Sequence, residues 1–131
     1  MLEYKLEMPP EQLPALTLAY IGDAVYELYV RTHLLEQSHK VHSLHRLAIN
    51  RGNNNTQSDL LAKVESELTE EEMAIVRRGR NAKGVQVPKN AHVQTYHRST
   101  GMEALTGYLY LKGNEERLMW LLGQIESVVK K

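Results

Sequence analysis

The sequence predicts a single all-α domain, and three observations support this. No segment shows a sustained alternation of apolar and polar residues, and no Asn-Gly or Asp-Gly hairpin turn occurs. Helix start and stop signals recur along the whole chain. The 131 residues contain no cysteine, so the domain folds without disulfides or thiolate zinc sites. A chain of this length buries about 70% of its unfolded surface, which is enough for one core. We expect one domain over residues 1–131.

The first half of the chain predicts three helices. The first covers residues 13–36 and is opened by the run "PPEQLP". The second covers residues 41–50 and the third residues 56–68, with the polar run "NRGNNN" near their junction.

The second half predicts three more helices. The fourth covers residues 69–79, because Thr69 and Glu72 fit a capping box and Gly79 suits a helix exit. The fifth begins near Ser99 or Thr100 and ends at Lys112 and Gly113, and the sixth continues from residue 114 to the C-terminus.

Between helices four and five lies the segment "RNAKGVQVPKNAHVQTYHR", which contains Gly84 and Pro88 and has no helical periodicity. A structureless loop of about twenty residues inside a small domain is uncommon and is usually functional or disordered. Although the formal net charge is zero, residues 77–98 carry six Lys and Arg, two His and no acidic residue: Arg77, Arg78, Arg80, Lys83, Lys89 and Arg98. Either these cations bind a polyanion, with Arg78, Arg80 and Lys83 gripping its phosphates, or the loop is merely solvated.

The first helix has an aspartate within one of the most apolar runs of the chain, "TLAYIGDAVYELYV". A helical wheel predicts a core stripe made of Leu18, Ile21, Val25, Leu28 and Thr32. Asp23 lies on the opposite side, which carries a second apolar face near Leu16, Tyr20, Tyr26 and Val30. A helix that is apolar nearly all round is covered on both sides, so we expect Asp23 to be at least half buried. We also expect a homodimer across the second face.

A carboxylate in such a place must be paired, hydrogen-bonded or bound to a metal. A second acidic side chain is available in "STGMEALTGYLYLKG", where Glu103 precedes Gly107 by four positions, while Gly22 directly precedes Asp23. If the two helices cross at their glycines, Asp23 and Glu103 flank one Mg²⁺ site. The alternatives are a capping role for Glu103 with Thr100, and an arginine partner for Asp23.

Other sites are disfavoured. His39, His42 and His45 lack metal-ligand spacing, and no phosphate-binding glycine loop or nucleophile elbow occurs. Glu27 lies one turn after Asp23 and could join its site, although an ion pair with Arg31 fits better. No apolar run approaches the ~20 residues of a membrane span. We therefore expect no membrane association and a cytoplasmic protein.

Two motifs carry a resemblance to a known family. "IGDAVYELYV" resembles the signature helix of the ribonuclease III domain, and "STGMEALTGYLYL" resembles its second acidic motif. With "VRRGRNAKG" between them and no room for a double-stranded-RNA-binding domain, the chain is similar from end to end to the Mini-III ribonucleases.

The resemblance implies an all-helical, homodimeric endoribonuclease that cleaves double-stranded RNA with Mg²⁺ and leaves 5′-phosphate and 3′-hydroxyl ends. It implies that Asp23 and Glu103 are the catalytic and metal-binding residues. The implied substrate is the precursor of large-subunit (23S) ribosomal RNA, which gives the protein a place in ribosome biogenesis, and a ribosomal protein that presents this RNA is a further partner consistent with it.

Two positions depart from the family pattern. Ala19 and Thr100 stand where larger members have a glutamate and an aspartate, so only half of the usual carboxylates are present. The runner-up function is therefore a catalytically inactive helical RNA-binding module that assists ribosome assembly. Metal-dependent cleavage of a duplex distinguishes the two.

Overall fold

The computed structural model describes residues 5–129. Within this range every regular element is helical, which confirms the all-α prediction. The α-helices are α1 (Ala15–Leu34), α2 (Val41–Gly52), α3 (Asn54–Val64), α4 (Glu70–Arg80), α5 (Val93–Lys112) and α6 (Glu115–Leu122). Short 3₁₀ turns cover Pro10–Gln12, Glu65–Glu67 and Ile125–Val128.

Local capping chemistry sets several helix ends. Thr69 Oγ1 accepts from the Glu72 amide at 3.1 Å and Glu72 Oε1 accepts from the Thr69 amide at 2.9 Å, which confirms the predicted capping box. Gly113 ends α5 with φ +79°, a left-handed conformation that a side chain rarely adopts. The polar run between α2 and α3 holds a cap as well, because the Asn53 side chain accepts from the Thr56 amide at 2.8 Å.

The helix α5 lies at the centre of the fold and packs against α1, α3, α4 and α6. It is buried from Ser99 to Leu109 apart from Glu103, which is half-buried. Its large core side chains include Met102, Leu105 and Tyr108, all of them at most 1% exposed. The backbone that carries Glu103 is therefore held in place by the packing of the residues on either side of it.

The predicted start of α5 was wrong. The helix begins at Val93, two turns earlier, where the His92 side chain accepts from the Thr95 amide at 3.3 Å and caps the first turn. Thr100 lies inside the helix and its hydroxyl donates to the Tyr96 carbonyl at 3.1 Å, so it does not cap Glu103. The basic loop is correspondingly shorter and covers residues 81–92.

The predicted core stripe of α1 was also partly wrong. Leu28 is 48% exposed, whereas Tyr26 and Val30, which we assigned to the second apolar face, are 1% and 3% exposed. The stripe is rotated because α1 meets α5 along the side that contains Gly22. As expected, Leu16 and Tyr20 lie outside this core, and they are 37% and 78% exposed.

The burial of Asp23 also differs from the prediction. The residue is exposed in the single chain, contrary to the expected half burial. No helix in residues 5–129 is long and apolar enough to cross a membrane.

Candidate active site

The helices α1 and α5 touch through their backbones at two glycines. A Cβ atom placed on Gly22 would lie 1.7 Å from the carbonyl oxygen of Glu103, and one on Gly107 would lie 1.9 Å from the carbonyl oxygen of Leu18. Real Cβ atoms essentially never approach another atom closer than 3.0 Å. The predicted crossing at the glycines is therefore confirmed, and neither position accepts a side chain without moving a helix.

This crossing brings the two candidate carboxylates together. Asp23 directly follows Gly22, Glu103 lies one turn before Gly107, and their carboxyl groups are in hydrogen-bond contact. The pKa of Glu103 is raised to about 8, first by burial and then by the hydrogen bond and the negative charge of Asp23. Without a cation Glu103 therefore keeps its proton near neutral pH.

The buried phenol of Tyr26 is affected by the nearby negative charges as well. Its pKa is raised, first by burial and then by the charges of Glu27 and Glu103. The Tyr26 hydroxyl donates to the Arg51 carbonyl at 2.7 Å, so it is held by the fold and does not neutralise the carboxylates. The region around the crossing is therefore acidic.

Within residues 5–129, Asp23 and Glu103 have no third metal-binding side chain beside them. In residues 5–129 no group of three or more His, Cys, Asp or Glu side chains could hold a metal ion. Ala19 is buried and Thr100 uses its hydroxyl within α5, which leaves the two departures from the family pattern without a substitute carboxylate. Glu27 forms an ion pair with Arg31 at 3.1 Å, as predicted. Its carboxylate is therefore bound to Arg31 and not to Asp23 or Glu103.

The donor set nevertheless fits one hard divalent cation. Two carboxylates in contact repel each other once both are ionised, and a cation between them relieves that repulsion. Asp23 is exposed, so the site is open on one side to waters and to phosphate oxygens. The arrangement can bind a hydrated Mg²⁺ and present it to a substrate.

The predicted basic residues separate into two groups. Arg77, Lys83 and Lys89 are exposed and have no side-chain partner in residues 5–129. The other three are half-buried and engaged: Arg78 donates to two backbone carbonyls, Arg80 lies 3.9 Å from Glu65, and Arg98 donates to Ser58 Oγ at 3.0 Å.

A second glycine contact, which we did not predict, joins the end of α4 that carries the basic residues to α5. A Cβ on Gly79 would lie 2.8 Å from the Cα of Gly101, so α4 meets α5 closely two residues before Glu103. Gly79 is thus a packing residue inside α4, and its predicted role as a helix exit was wrong. The signal was in the sequence, because both helices carry a glycine within an otherwise well-formed helical pattern.

Comparisons with known proteins show the family of the chain. Residues 16–114 match the ribonuclease III domain. Mini-ribonuclease 3 of Symbiobacterium thermophilum is 51% identical over 93% of this chain and 95% of its own length. Mini-ribonuclease 3 of Desulfitobacterium hafniense is 49% identical over 91% of this chain and 76% of its own length.

The fold is shared with a solved structure. A crystal structure of a Fusobacterium nucleatum protein superposes with a TM-score of 0.81 at 28% identity, and the match covers 88% of this chain and 93% of that one. The family match covers both carboxylates and the whole basic segment. The chain therefore belongs to the ribonuclease III domain family and is an endoribonuclease.

Proposed function

We propose that this chain, as one catalytic domain over residues 1–131, cleaves double-stranded RNA with Mg²⁺ and leaves 5′-phosphate and 3′-hydroxyl ends. The observation that carries the proposal is the contact between the Asp23 and Glu103 carboxyl groups at a backbone crossing of two helices. A rigid pair of adjacent acids is suited to hold a hard cation at a fixed distance from a bound phosphate.

In this proposal Asp23 and Glu103 are the metal ligands and the catalytic residues. Bound there, Mg²⁺ would acidify a coordinated water and neutralise charge on the phosphate. Glu103 would hold the ion in its ionised form, and Asp23, which is exposed, would be the second protein ligand. With two protein carboxylates, the remaining ligand positions are left to water and to RNA oxygens.

The exposed cations supply the RNA contact. Arg77, at the end of α4, and Lys83 and Lys89, in the loop, are free to bind phosphates. Arg80 and Arg98, whose side chains contact Glu65 and Ser58, are further candidates for phosphate contacts. Such contacts read the backbone of an A-form duplex and carry little sequence preference, so a DNA duplex should be a poor substrate.

The exposed apolar residues of α1, its C-cap residue and α2 support a homodimer. They comprise Leu16, Tyr20, Leu28, Leu35, Val41 and Ile49. A second copy related by a two-fold axis would cover this face and would place two active sites on one duplex, one for each strand. Equilibrium sedimentation tests the proposal, and a fully active monomer at micromolar concentration would contradict it.

We further propose that the natural duplex is the paired end of the 23S ribosomal RNA precursor, processed in the cytoplasm. This step rests on the resemblance to the Mini-III ribonucleases. A ribosomal protein that presents the precursor is the expected partner, and cleavage of the naked precursor compared with its protein-bound form tests that role.

The central experiment uses radiolabelled duplex and single-stranded RNA with Mg²⁺ or EDTA. We expect cleavage of the duplex alone, and only with Mg²⁺. Asp23→Asn should abolish it, whereas Glu116→Gln, which removes an exposed acid on α6, should not. Duplex binding without cleavage by the parent protein would instead favour the inactive RNA-binding module.

A further inference from the structure

The side chain of Arg78 crosses from α4 to the segment that precedes α1. Its Nη1 donates to the carbonyl oxygen of Glu11 at 2.9 Å, and its Nη2 donates to that of Leu13 at 2.5 Å. The neighbouring Arg77 is exposed and has no such partner. Two adjacent arginines of the basic segment therefore have different surroundings, and only one of them is free for a phosphate.

The two carbonyls that Arg78 binds stand at the entrance of α1. The next residue, Pro14, accepts hydrogen bonds from the Thr17 and Leu18 amides and thereby begins the helix. The Leu18 carbonyl in turn lies against Gly107 at the crossing with α5. A displacement of this entrance would be transmitted along α1, because the helix is continuous from its first turn to Asp23.

The same end of α4 is fixed from the other side. Gly79, the residue after Arg78, lies against the backbone of α5 at Gly101. Directly beyond it the chain leaves α4 into the loop that carries Lys83 and Lys89. The C-terminal end of α4 is thus the place where the exposed cations, the entrance of α1 and the start of the buried part of α5 are held together.

We propose that Arg78 is a positioning residue. It fixes the position of the Asp23 carboxylate relative to the RNA-binding end of α4. The inference rests on the proposed function. An arginine suits this role because its planar fork reaches two acceptors at once, whereas a lysine offers a single point charge. RNA held by the cations then presents its phosphate to a carboxylate pair whose distance from α4 is fixed.

Three variants test the assignment. Arg78→Lys keeps the charge and loses the fork, Arg78→Gln loses both, and Arg77→Gln removes the neighbouring exposed charge as the matched control. Duplex affinity is measured in EDTA at several salt concentrations. The value of kcat is measured with Mg²⁺ at saturating RNA, below the melting temperature of every variant.

We expect both Arg78 variants to lower kcat by about 10- to 100-fold, because a displacement of ~1 Å can remove that much rate. Their affinity and the salt dependence of binding should stay at the parental values. Arg77→Gln should instead lower the duplex affinity and reduce the salt slope by about one, the signature of a lost phosphate contact.

Two results would overturn the inference. A reduced salt slope for Arg78→Gln with parental kcat for Arg78→Lys would make Arg78 a phosphate ligand. A lower melting temperature with parental kcat for each folded molecule would make it a purely structural link. Failure of the parent protein to cleave a duplex with Mg²⁺ would instead reject the proposed function, and the inference with it.

Discussion

The carboxylate pair and the basic loop, the two regions that the proposed function needs, are built in opposite ways. Asp23 and Glu103 sit at a crossing where two backbones touch, and a single added methyl group would collide with a carbonyl oxygen. The loop over residues 81–92 has its cations exposed, and a Cβ on Gly84 would meet nothing within 4 Å. In the proposed function, geometry is fixed where the bond would be broken, and charge alone suffices where the polyanion would be held.

The largest effect should come from the carboxylates. Asp23→Asn and Glu103→Gln should each lower the cleavage rate by about 10³-fold or more, because metal ligation supplies several kcal/mol of transition-state stabilisation. The double variant should be hardly slower than either single one, since both act through the same ion. Single-turnover cleavage rates of the three variants measure this.

Duplex affinity in EDTA provides the control for these variants. It should remain parental, because the RNA contact belongs to the other region. A well-folded Asp23→Asn protein that cleaves at nearly the parental rate would show that the carboxylate pair is not the catalytic site.

One glycine from each region gives the next largest contrast. Gly107→Ala should destabilise the fold by about 3 kcal/mol or more through overpacking, although alanine is the better helix former by about 1 kcal/mol. Gly84→Ala should cost only about 1 kcal/mol, because the position has φ +86° but open space around it. Urea unfolding of both variants tests the contrast, and equal losses would contradict it.

Removal of the exposed loop charges should weaken binding without slowing the chemistry. We expect Lys83→Ala and Lys89→Ala together to lower duplex affinity by about tenfold and to reduce the salt slope by about two, one for each lost phosphate contact. The kcat at saturating RNA should hold. A titration of affinity against salt measures the slope, and an unchanged slope would move the RNA contact to another surface.

The smallest effect should be the change in the free energy of unfolding with pH when no metal is bound. The pKa of Glu103 is about 8 in the folded chain against an ordinary 4.5, so the folded state binds more protons between these values. The free energy of unfolding should therefore fall as the pH rises from 4.5 to 8 and stay level outside that window, as far as this group contributes.

Melting curves in EDTA test this at pH 5 and pH 8. The melting temperature of the parent should fall more than that of Glu103→Gln at the higher pH, and Mg²⁺ should restore it only in the parent. If Glu103→Gln follows the parental pH profile, the raised pKa does not influence stability.

Much of this structure could be predicted because its signals are local. The capping box of α4 and the left-handed Gly113 at the end of α5 each depend only on residues close in sequence. The glycine crossing was predictable for a related reason, since a glycine in a helix interior is unfavourable unless a neighbour comes close.

The failures have physical causes of two kinds. The start of α5 was missed because an imidazole, which is not among the usual capping residues, caps the first turn at His92. The exposure of Asp23 and the burial of Tyr26 depend on how α1 is rotated against α5, which a helical wheel leaves open when both faces are apolar. The hydrogen bonds of Arg78 join segments 65 residues apart in sequence, so the local sequence pattern could not predict them.

The central position of α5 also bears on when the active site comes into existence during folding. A helix with glycines at 101 and 107 has little helical tendency alone, and its middle is covered by several other helices. Amide hydrogens around Glu103 should therefore exchange with solvent only when the whole domain opens, whereas those of residues 81–92 should exchange through local fluctuations. No partly unfolded form would then retain a working pair of carboxylates, so nuclease activity belongs to the fully folded molecule alone.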